Sequence, residues 1–387
     1  MRLTILGAIL LLAGGAAIVT GLLPVEAALA VGERVWPVLL FAVAVTIVAE
    51  LAAEAGVFTA IAERLARLGL RRAWVLWLLV VVLALVSTIF LSLDTTAVLL
   101  TPVVVILARH NGLDPMPFAL TTVWLANTGS LLLPVSNLTN LLAVDPIGTS
   151  DPAAFAALMA PAAVVAVAVP VVALGIVFRR ELGARFAPAA PPSPEDPVLF
   201  RIAAIVVAAL IPLLLTGLPV WIPACAAAVV LLVAVAIRRR DALRPSLVPW
   251  GVLLFASGLF LVIETAHARG LADLLAGPVG GGDDPLALLR VAGAGAIGAN
   301  AINNLPAYLA LEPLAGTPLR VAALLVGVNA GAIVTPWASL ATLLWHERLV
   351  ALGVGLAWRR SIALGAVVAP ITVALATLAL AGITLPA

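Results

Sequence analysis

Lysine is absent from this 387-residue chain, so all 21 of its basic side chains are arginines. Acidic residues number 19, the net charge is +2, and charged residues make up only 10%, against roughly 25% in a soluble domain. The isoelectric point near 9.4 therefore reports scattered arginines, not a basic nucleic-acid face. A single cysteine, Cys225, excludes a disulfide framework and a multi-cysteine metal site; it reads as a small buried hydrophobe. His110, His267 and His346 lie far apart, so no histidine metal cluster is expected, and neither metal nor cofactor is implied. No Walker A loop is present, so the chain does not itself hydrolyse ATP. No catalytic pair stands out either, so the chain is not expected to be an enzyme.

What is abundant is apolar. Hydrophobic residues make up 64% and the mean hydropathy is +1.23. A soluble fold, about 45–50% apolar, cannot hide so much. A membrane barrel would alternate apolar and polar residues in segments of about ten. Long unbroken runs predict instead an all-α polytopic membrane protein in a lipid bilayer. Spans are expected at 3–23, 35–55, 116–143, 153–178, 199–216, 219–237, 247–267, 318–345 and 361–383. Residues 3–23 follow one arginine, and Ala28-Leu29-Ala30 resembles a cleavage site. The run exceeds the roughly 7–15-residue core of a signal peptide, so it reads as the first span. Residues 73–110 and 286–316 are each interrupted by polar residues near the middle, at Ser92–Thr96 and Asn300–Asn304, and read as hairpins. Residues 57–70 read as an amphipathic interfacial helix.

The arginines orient these nine spans and two hairpins. With the N-terminus in the cytoplasm, 17 arginines fall on the cytoplasmic side and 4 (Arg34, Arg269, Arg290, Arg320) outside. The C-terminus then lies outside the plasma membrane. The stretch 179–201, with Pro188, Pro191, Pro192, Pro194 and Pro197, reads as a cytoplasmic linker.

The chain also repeats itself. Residues 36–56 align without gaps to 250–270, matching Trp36/Trp250, Phe41/Phe255, Glu50/Glu264 and Gly56/Gly270. Residues 127–142 align to 329–344, matching Asn127/Asn329, Gly129/Gly331 and Pro134/Pro336. The first pair runs in opposite directions, so the halves are expected to be inverted, an architecture of secondary transporters. The expected division is a first repeat at 1–181, linker and connecting span at 182–218, and a second repeat at 219–387. Each repeat would carry a re-entrant hairpin (73–110, 286–316) and a broken helix (116–143, 318–345).

Free backbone in lipid finds no hydrogen-bond partner, so polar residues and prolines clustered at mid-membrane imply a cavity. The clusters are the two hairpin tips and the breaks around Pro134 and Pro336. A proline there frees a carbonyl one turn earlier. Asp94 stands out: an acid inside the membrane is a functional hypothesis by default, and at a hairpin tip it is suited to bind and release a proton. It could equally cap the helix that follows at Thr95. Thr95, Asn127, Ser136, Asn137, Asn140, Asn303, Asn304, Asn329 and Ser339 would supply neutral donors and acceptors, although helix–helix hydrogen bonding would suit any one of them. Glu50 and Glu264 read as capping or interfacial residues, and Trp36 and Trp250 as interfacial anchors. No arginine falls in any cluster, which favours a neutral polyhydroxyl solute or a cation exchanged against protons.

The runs Asp94-Thr95-Thr96-Ala97-Val98-Leu99-Leu100-Thr101-Pro102 and Asn127-Thr128-Gly129-Ser130-Leu131-Leu132-Leu133-Pro134-Val135-Ser136-Asn137-Leu138 resemble the arsenite/antimonite efflux permeases. So do Asn303-Asn304-Leu305-Pro306 and Thr335-Pro336-Trp337-Ala338-Ser339-Leu340-Ala341-Thr342-Leu343-Leu344-Trp345. That family belongs to the ion transporter superfamily, with the sodium-coupled dicarboxylate and citrate carriers. The resemblance spans nearly the whole chain. It implies two inverted repeats with re-entrant hairpins and broken helices, and export of trivalent arsenic and antimony hydroxides. The drive would be proton exchange or a partner cytoplasmic ATPase; a homodimer is also open. By position, Asp94 matches the acid at the first tip and Asn304 its partner at the second. The family usually has Asn-Asp at the first tip; this chain has Leu93-Asp94. Two other readings stay open: a sodium-coupled dicarboxylate or citrate carrier, with 92–96 and 127–137 forming one sodium clamp and 300–304 with 329–339 the other, and a sodium/proton antiporter.

Overall fold

The computed structural model describes residues 2–187 and 195–382, and among these the regular structure is helical apart from one antiparallel bridge between Arg72 and Arg185. The chain opens with α1 (Arg2–Val19), α2 (Val25–Glu54) and the short α3 (Val57–Leu68). The first hairpin follows: α4 (Ala73–Leu91), then α5 (Leu93–Thr95), which runs through a π-helical turn at Thr96–Leu100 into α6 (Thr101–His110). A broken helix comes next, α7 (Met116–Thr128) and α8 (Leu138–Ile147), and then α9 (Pro152–Val177) and α10 (Arg179–Leu182). α11 (Pro197–Leu213) and α12 (Trp221–Arg238) lead to α13 (Trp250–His267) and the short α14 (Leu271–Val279). The second hairpin is α15 (Pro285–Ile302) and α16 (Asn304–Leu311); the second broken helix is α17 (Pro318–Leu325), a π-helical turn at Val326–Ala330, and α18 (Leu340–Ala351). α19 (Trp358–Ala381) ends the described chain.

Eight helices are long and apolar enough to cross a membrane, and three of them (Ala73–Leu91, Leu93–His110, Pro285–Ile302) are hairpin arms. α1 and α11 are shorter apolar helices, and the two expected spans at 116–143 and 318–345 are each divided by an irregular stretch. The molecule is a multi-pass membrane protein. The proline run at 188–194 lies outside the described residues.

Local chemistry sets the boundaries. Asp151, Asp196, Asp284 and Thr317 start helices by accepting hydrogen bonds from backbone N–H groups of the first turn. Gly56 (φ 83°) and Gly270 (φ 90°), matched in the sequence repeat, both adopt the left-handed conformation just before a short helix. The hairpin tips turn at Ser92 (φ 87°) and Asn303 (φ 128°), side-chain-bearing residues in a conformation that favours glycine.

Helices that cannot gain by hiding from lipid associate through close packing of small residues. α1 lies along α13 with Gly7, Gly14 and Gly258 at the contact, where a Cβ would strike Leu254, Leu261 and Leu10. α2 lies against α12, with Trp36 and Trp221 rings 5.4 Å apart. α9 lies against α19.

The arginine-rich side is tied by charge. Arg239 joins Glu54 (3.0 Å) and Glu195 (3.1 Å). Arg238 grips Asp196 through Nε and a terminal guanidinium nitrogen (2.6 and 3.0 Å), which with the first-turn N–H groups holds that carboxyl at about 2. On the opposite side Arg34 joins Glu312 (3.0 Å).

Candidate functional site

The first hairpin tip is built by hydroxyls. Ser92 Oγ accepts from Thr95 N (3.4 Å), so Ser92 rather than Asp94 caps the returning helix. Thr96 Oγ1 donates to Ser87 Oγ (2.9 Å) and accepts from Thr88 Oγ1 (3.0 Å), joining the two arms just behind the tip. Asp94 is half-buried and its carboxylate accepts no hydrogen bond among the described residues.

The first break follows from Pro134. Proline has no N–H to give Ser130 O, the carbonyl four residues back. Asn140 supplies it from the next helix: its Nδ2 donates to Ser130 O (2.7 Å) and Leu133 O (3.0 Å). Asn137 begins α8 and accepts from Thr139 N (3.3 Å), and Ser136 Oγ donates to Ile89 O (3.0 Å) on the hairpin. At the second break the hairpin tip does the same work. Asn300 Nδ2 donates to Gly331 O (2.8 Å), Asn303 Nδ2 to Trp337 O (2.9 Å) and Asn304 N to Ala338 O (2.8 Å). The glycines at the breaks admit neighbouring helices: a Cβ on Gly129 would lie 2.8 Å from Leu85 of α4, and one on Gly331 would lie 2.6 Å from Ala296 of α15.

The two breaks are locked together. Asn329 Nδ2 donates to Asn140 Oδ1 (3.0 Å), while its Oδ1 accepts from Asn137 Nδ2 (2.9 Å) and Thr139 Oγ1 (3.1 Å). Asn127 Nδ2 reaches Thr342 Oγ1 (3.4 Å). Since 127 pairs with 329 and 140 with 342 in the repeat, these two contacts are counterparts.

A cavity of about 310 Å³ opens beside the first tip. Ser92, Asp94, Thr95 and Asn137 line it, with Phe41, Val45, Thr46 and Glu50 from α2 and Glu347 and Arg348 from α18. Ser246, Pro249 and Arg348, from the arginine-rich side, also line it. A second cavity of about 460 Å³ lies on the other side, lined by Arg34, Pro37, Leu133, Pro134 and Asp145 among others. Val135 and Leu141 line both, so the first break and the start of α8 form the partition.

Of the residues singled out in the sequence, the structure brings Asp94, Thr95 and Asn137 to one cavity. Asn127, Asn140 and Asn329 are buried in the lock between breaks, and Ser136, Asn303 and Asn304 hold hairpin to break. Ser339 starts α18 with its Oγ buried and without a partner, as is Asn127 Oδ1. Three cavity groups were missed. Glu50 was read as a capping or interfacial residue, though Thr46 and Glu50 sit one turn apart in an otherwise apolar run. Glu347 was not singled out, and Arg348, one of the 17 arginines assigned to the cytoplasmic side, lies within α18. The positive charge that the clusters lack is thus delivered to the cavity by a different helix. Among the described residues no three His, Cys, Asp or Glu side chains converge to hold a metal ion.

Comparisons with known proteins point one way. The profile of a citrate transporter family (CitMHS) matches residues 3–344. The chain is similar to the arsenical pump membrane protein of Escherichia coli (strain K12), with 29% identity over 370 residues covering 88% of this chain and 85% of that protein. The arsenical pump membrane protein of Yersinia enterocolitica is 30% identical over 373 residues, covering 88% of this chain and 85% of its own. In structure the chain is similar to the YdaH transporter of Alcanivorax borkumensis, with a TM-score of 0.56 and 17% identity over 89% of this chain and 84% of that one. This last likeness is one of fold.

Proposed function

The chain belongs to the citrate transporter family, and on that premise we propose that it is a secondary carrier that exports arsenite and antimonite in exchange for protons. The observation that carries this reading is Asp94: a carboxylate without a donor among the described residues, at a hairpin tip, facing a cavity that the hydroxyls of Ser92 and Thr95 and the amide of Asn137 line together with Thr46, Glu50, Glu347 and Arg348. Trivalent arsenic hydroxide is neutral near pH 7, and hydroxyls and amides suit it without paired charge. The names of the arsenical pump relatives support the same solute.

In this reading the N-terminus is cytoplasmic and the 310 Å³ cavity is the inward-facing site. The solute enters past Arg348 and is held by Ser92, Thr95 and Asn137. Asp94 takes a proton when the site faces outward and releases it when the site faces inward, so each proton entering accompanies one solute leaving. Ser92 fixes the tip by capping it, which leaves the Asp94 carboxylate for this exchange. The two halves are inverted repeats: the left-handed pairs Gly56/Gly270 and Ser92/Asn303, and the counterpart contacts Asn127–Thr342 and Asn329–Asn140, support that relation.

Proteoliposomes with an imposed pH gradient test this. Arsenite movement that follows the gradient in wild type and is lost in Asp94→Asn is the expected result. Movement of arsenite that ignores the gradient, or survives Asp94→Asn with coupling intact, removes the proton role. A second reading, a sodium-coupled citrate or dicarboxylate carrier, is favoured by Arg348, a cation in the lining of the cavity. It requires citrate uptake driven by sodium, with Arg348→Gln weakening citrate and leaving arsenite unaffected.

A further inference from the structure

We propose that the loops at 70–72 and 184–187 form a binding site for the phosphate-bearing headgroup of an anionic phospholipid. A concave site of about 530 Å³ is lined there by Leu70, Arg71, Arg72, Arg185, Phe186 and Ala187. All three arginines are exposed, and none has a carboxylate partner among the described residues. Glu181, the nearest acid along the chain, forms no ion pair with them, and residues 188–194 contain no acid.

The site is built, not a chance meeting of flexible side chains. Its two segments are joined by two backbone hydrogen bonds, Phe186 N to Arg71 O (3.1 Å) and Ala73 N to Ala184 O (3.0 Å), which together make the antiparallel Arg72–Arg185 bridge. Phe186 is buried and closes over Gly69, 3.1 Å from where a Cβ would stand. Leu70 (φ 51°) and Arg71 (φ 58°) are consecutive left-handed residues, a conformation side-chain-bearing residues rarely adopt. The placement of basic residues on one side of a membrane accounts for how many arginines this side has. It does not account for three guanidiniums held on one rigid platform without a counter-ion. An anion relieves their mutual repulsion, and the guanidinium fork matches a phosphate through paired N–H donors.

The surroundings favour a lipid as the source of that phosphate. Leu68, Leu70 and Trp74 flank the arginines at 60%, 73% and 45% exposure, so apolar side chains without a protein partner border the charge. The apolar α4 begins at Ala73, and the amphipathic α3 ends at Leu68. The loop therefore sits at the level where headgroups meet acyl chains, and where tryptophan is favoured. Arg64 and Arg67 of α3, and Arg179 and Arg180 of α10 packed on α4, add exposed positive charge at the same end of the molecule. This inference is independent of the solute carried.

The test is thermal unfolding of the purified full chain in neutral detergent, followed by tryptophan fluorescence. Phosphatidylglycerol, phosphatidylcholine, inorganic phosphate and polyglutamate are added separately. Phosphatidylglycerol is expected to raise the midpoint by about 5 °C, phosphatidylcholine and phosphate by much less. The triple variant Arg71→Gln, Arg72→Gln, Arg185→Gln should lose most of that shift. A control that removes the same charge elsewhere on this side, Arg240→Gln, Arg244→Gln, Arg359→Gln, should keep it. An unchanged shift in the first variant, or an equal loss in the control, overturns the site. An equal shift with inorganic phosphate makes it a free-anion site, and a shift with polyglutamate alone makes it a surface for an acidic protein; either overturns the lipid assignment. Where the triple variant does not fold, native mass spectrometry of Arg185→Gln should count one fewer retained phosphatidylglycerol than wild type, and an unchanged count overturns the proposal.

Discussion

Asn140 and Asp94 are both polar residues inside the membrane, and they do opposite things. Asn140 spends its amide on the two carbonyls around the Pro134 break and its oxygen on Asn329. Truncation to alanine leaves Ser130 O, Leu133 O and Asn329 Nδ2 without these partners, and each orphaned buried group costs about 1–3 kcal/mol. Asn140→Ala is therefore expected to lower the thermal midpoint clearly in detergent; an unchanged midpoint would mean that the lock is replaced by water. Asp94 has no donor to lose among the described residues. Asp94→Asn keeps the shape, so its midpoint should stay within about 1 °C of wild type while gradient-driven transport disappears. That split between stability and transport separates a coupling residue from a structural one. The sequence marks both residue types as unusual, but not which of them faces the cavity. The partner that occupies Asn140 lies 189 residues away, and a distance of that kind is visible only once the breaks meet.

Elements were legible where one local cause sets them. Apolar runs foretell the helices, Ser92–Thr96 and Asn300–Asn304 foretell the tips, and Pro134 and Pro336 foretell the breaks. Boundaries were less legible where a distant partner decides them. The span expected at 35–55 begins ten residues earlier, as α2 from Val25, because Arg34 stays inside the helix by pairing with Glu312 and Leu142 O. The contact of α1 with α13 is set by Gly258, where a Cβ would lie 2.8 Å from Leu10 Cβ and closer still to backbone. Gly258→Val is expected to cost about 1–3 kcal/mol by overpacking. Gly32→Val, in α2 with nothing within 4 Å of its Cβ position, carries the same change of helix propensity without the clash. A larger fall in thermal midpoint for Gly258→Val than for Gly32→Val checks this, and equal falls would mean that the helices slide apart freely. The N-terminus of α11 carries a pH-dependent link. Arg238 and the first-turn N–H groups hold Asp196 at about 2, below its ordinary 3.8. A carboxyl lowered on folding stabilises the fold above its unfolded value and loses that contribution as pH falls through its folded value. Asp196→Asn should therefore narrow the stability difference between pH 5 and pH 2, and an unchanged acid profile would assign that end of α11 to packing alone.

At the scale of the whole molecule, the two cavities lie on opposite sides of a thin partition. Val135 and Leu141 line both: Val135 lies in the break at Pro134, and Leu141 lies in the first turn of α8, next to the Asn140–Asn329 lock. A carrier must never open both sides at once, because a channel dissipates the gradient that drives it. In the proposed carrier that duty would fall on these two apolar side chains, with the Arg34–Glu312 pair on the far side. The pair is partly exposed and contributes at most about 1 kcal/mol, so it is weak enough to break in each cycle. The two side chains that line both cavities, Val135 and Leu141, are in contrast apolar and give a proton no group to hop through. Leu141→Ala removes most of one of its two side chains without touching Asp94, Ser92 or Thr95. In proteoliposomes this variant should still move arsenite down its own gradient, yet show faster collapse of an imposed pH gradient in the absence of solute and weaker accumulation against one. Arg34→Gln, which frees the outer pair but leaves the partition whole, should alter the rate without the leak. A Leu141→Ala protein that holds the pH gradient as well as wild type would mean that the barrier between the cavities lies elsewhere. The tightly packed lock around Asn329 would then be where the two sides are kept apart.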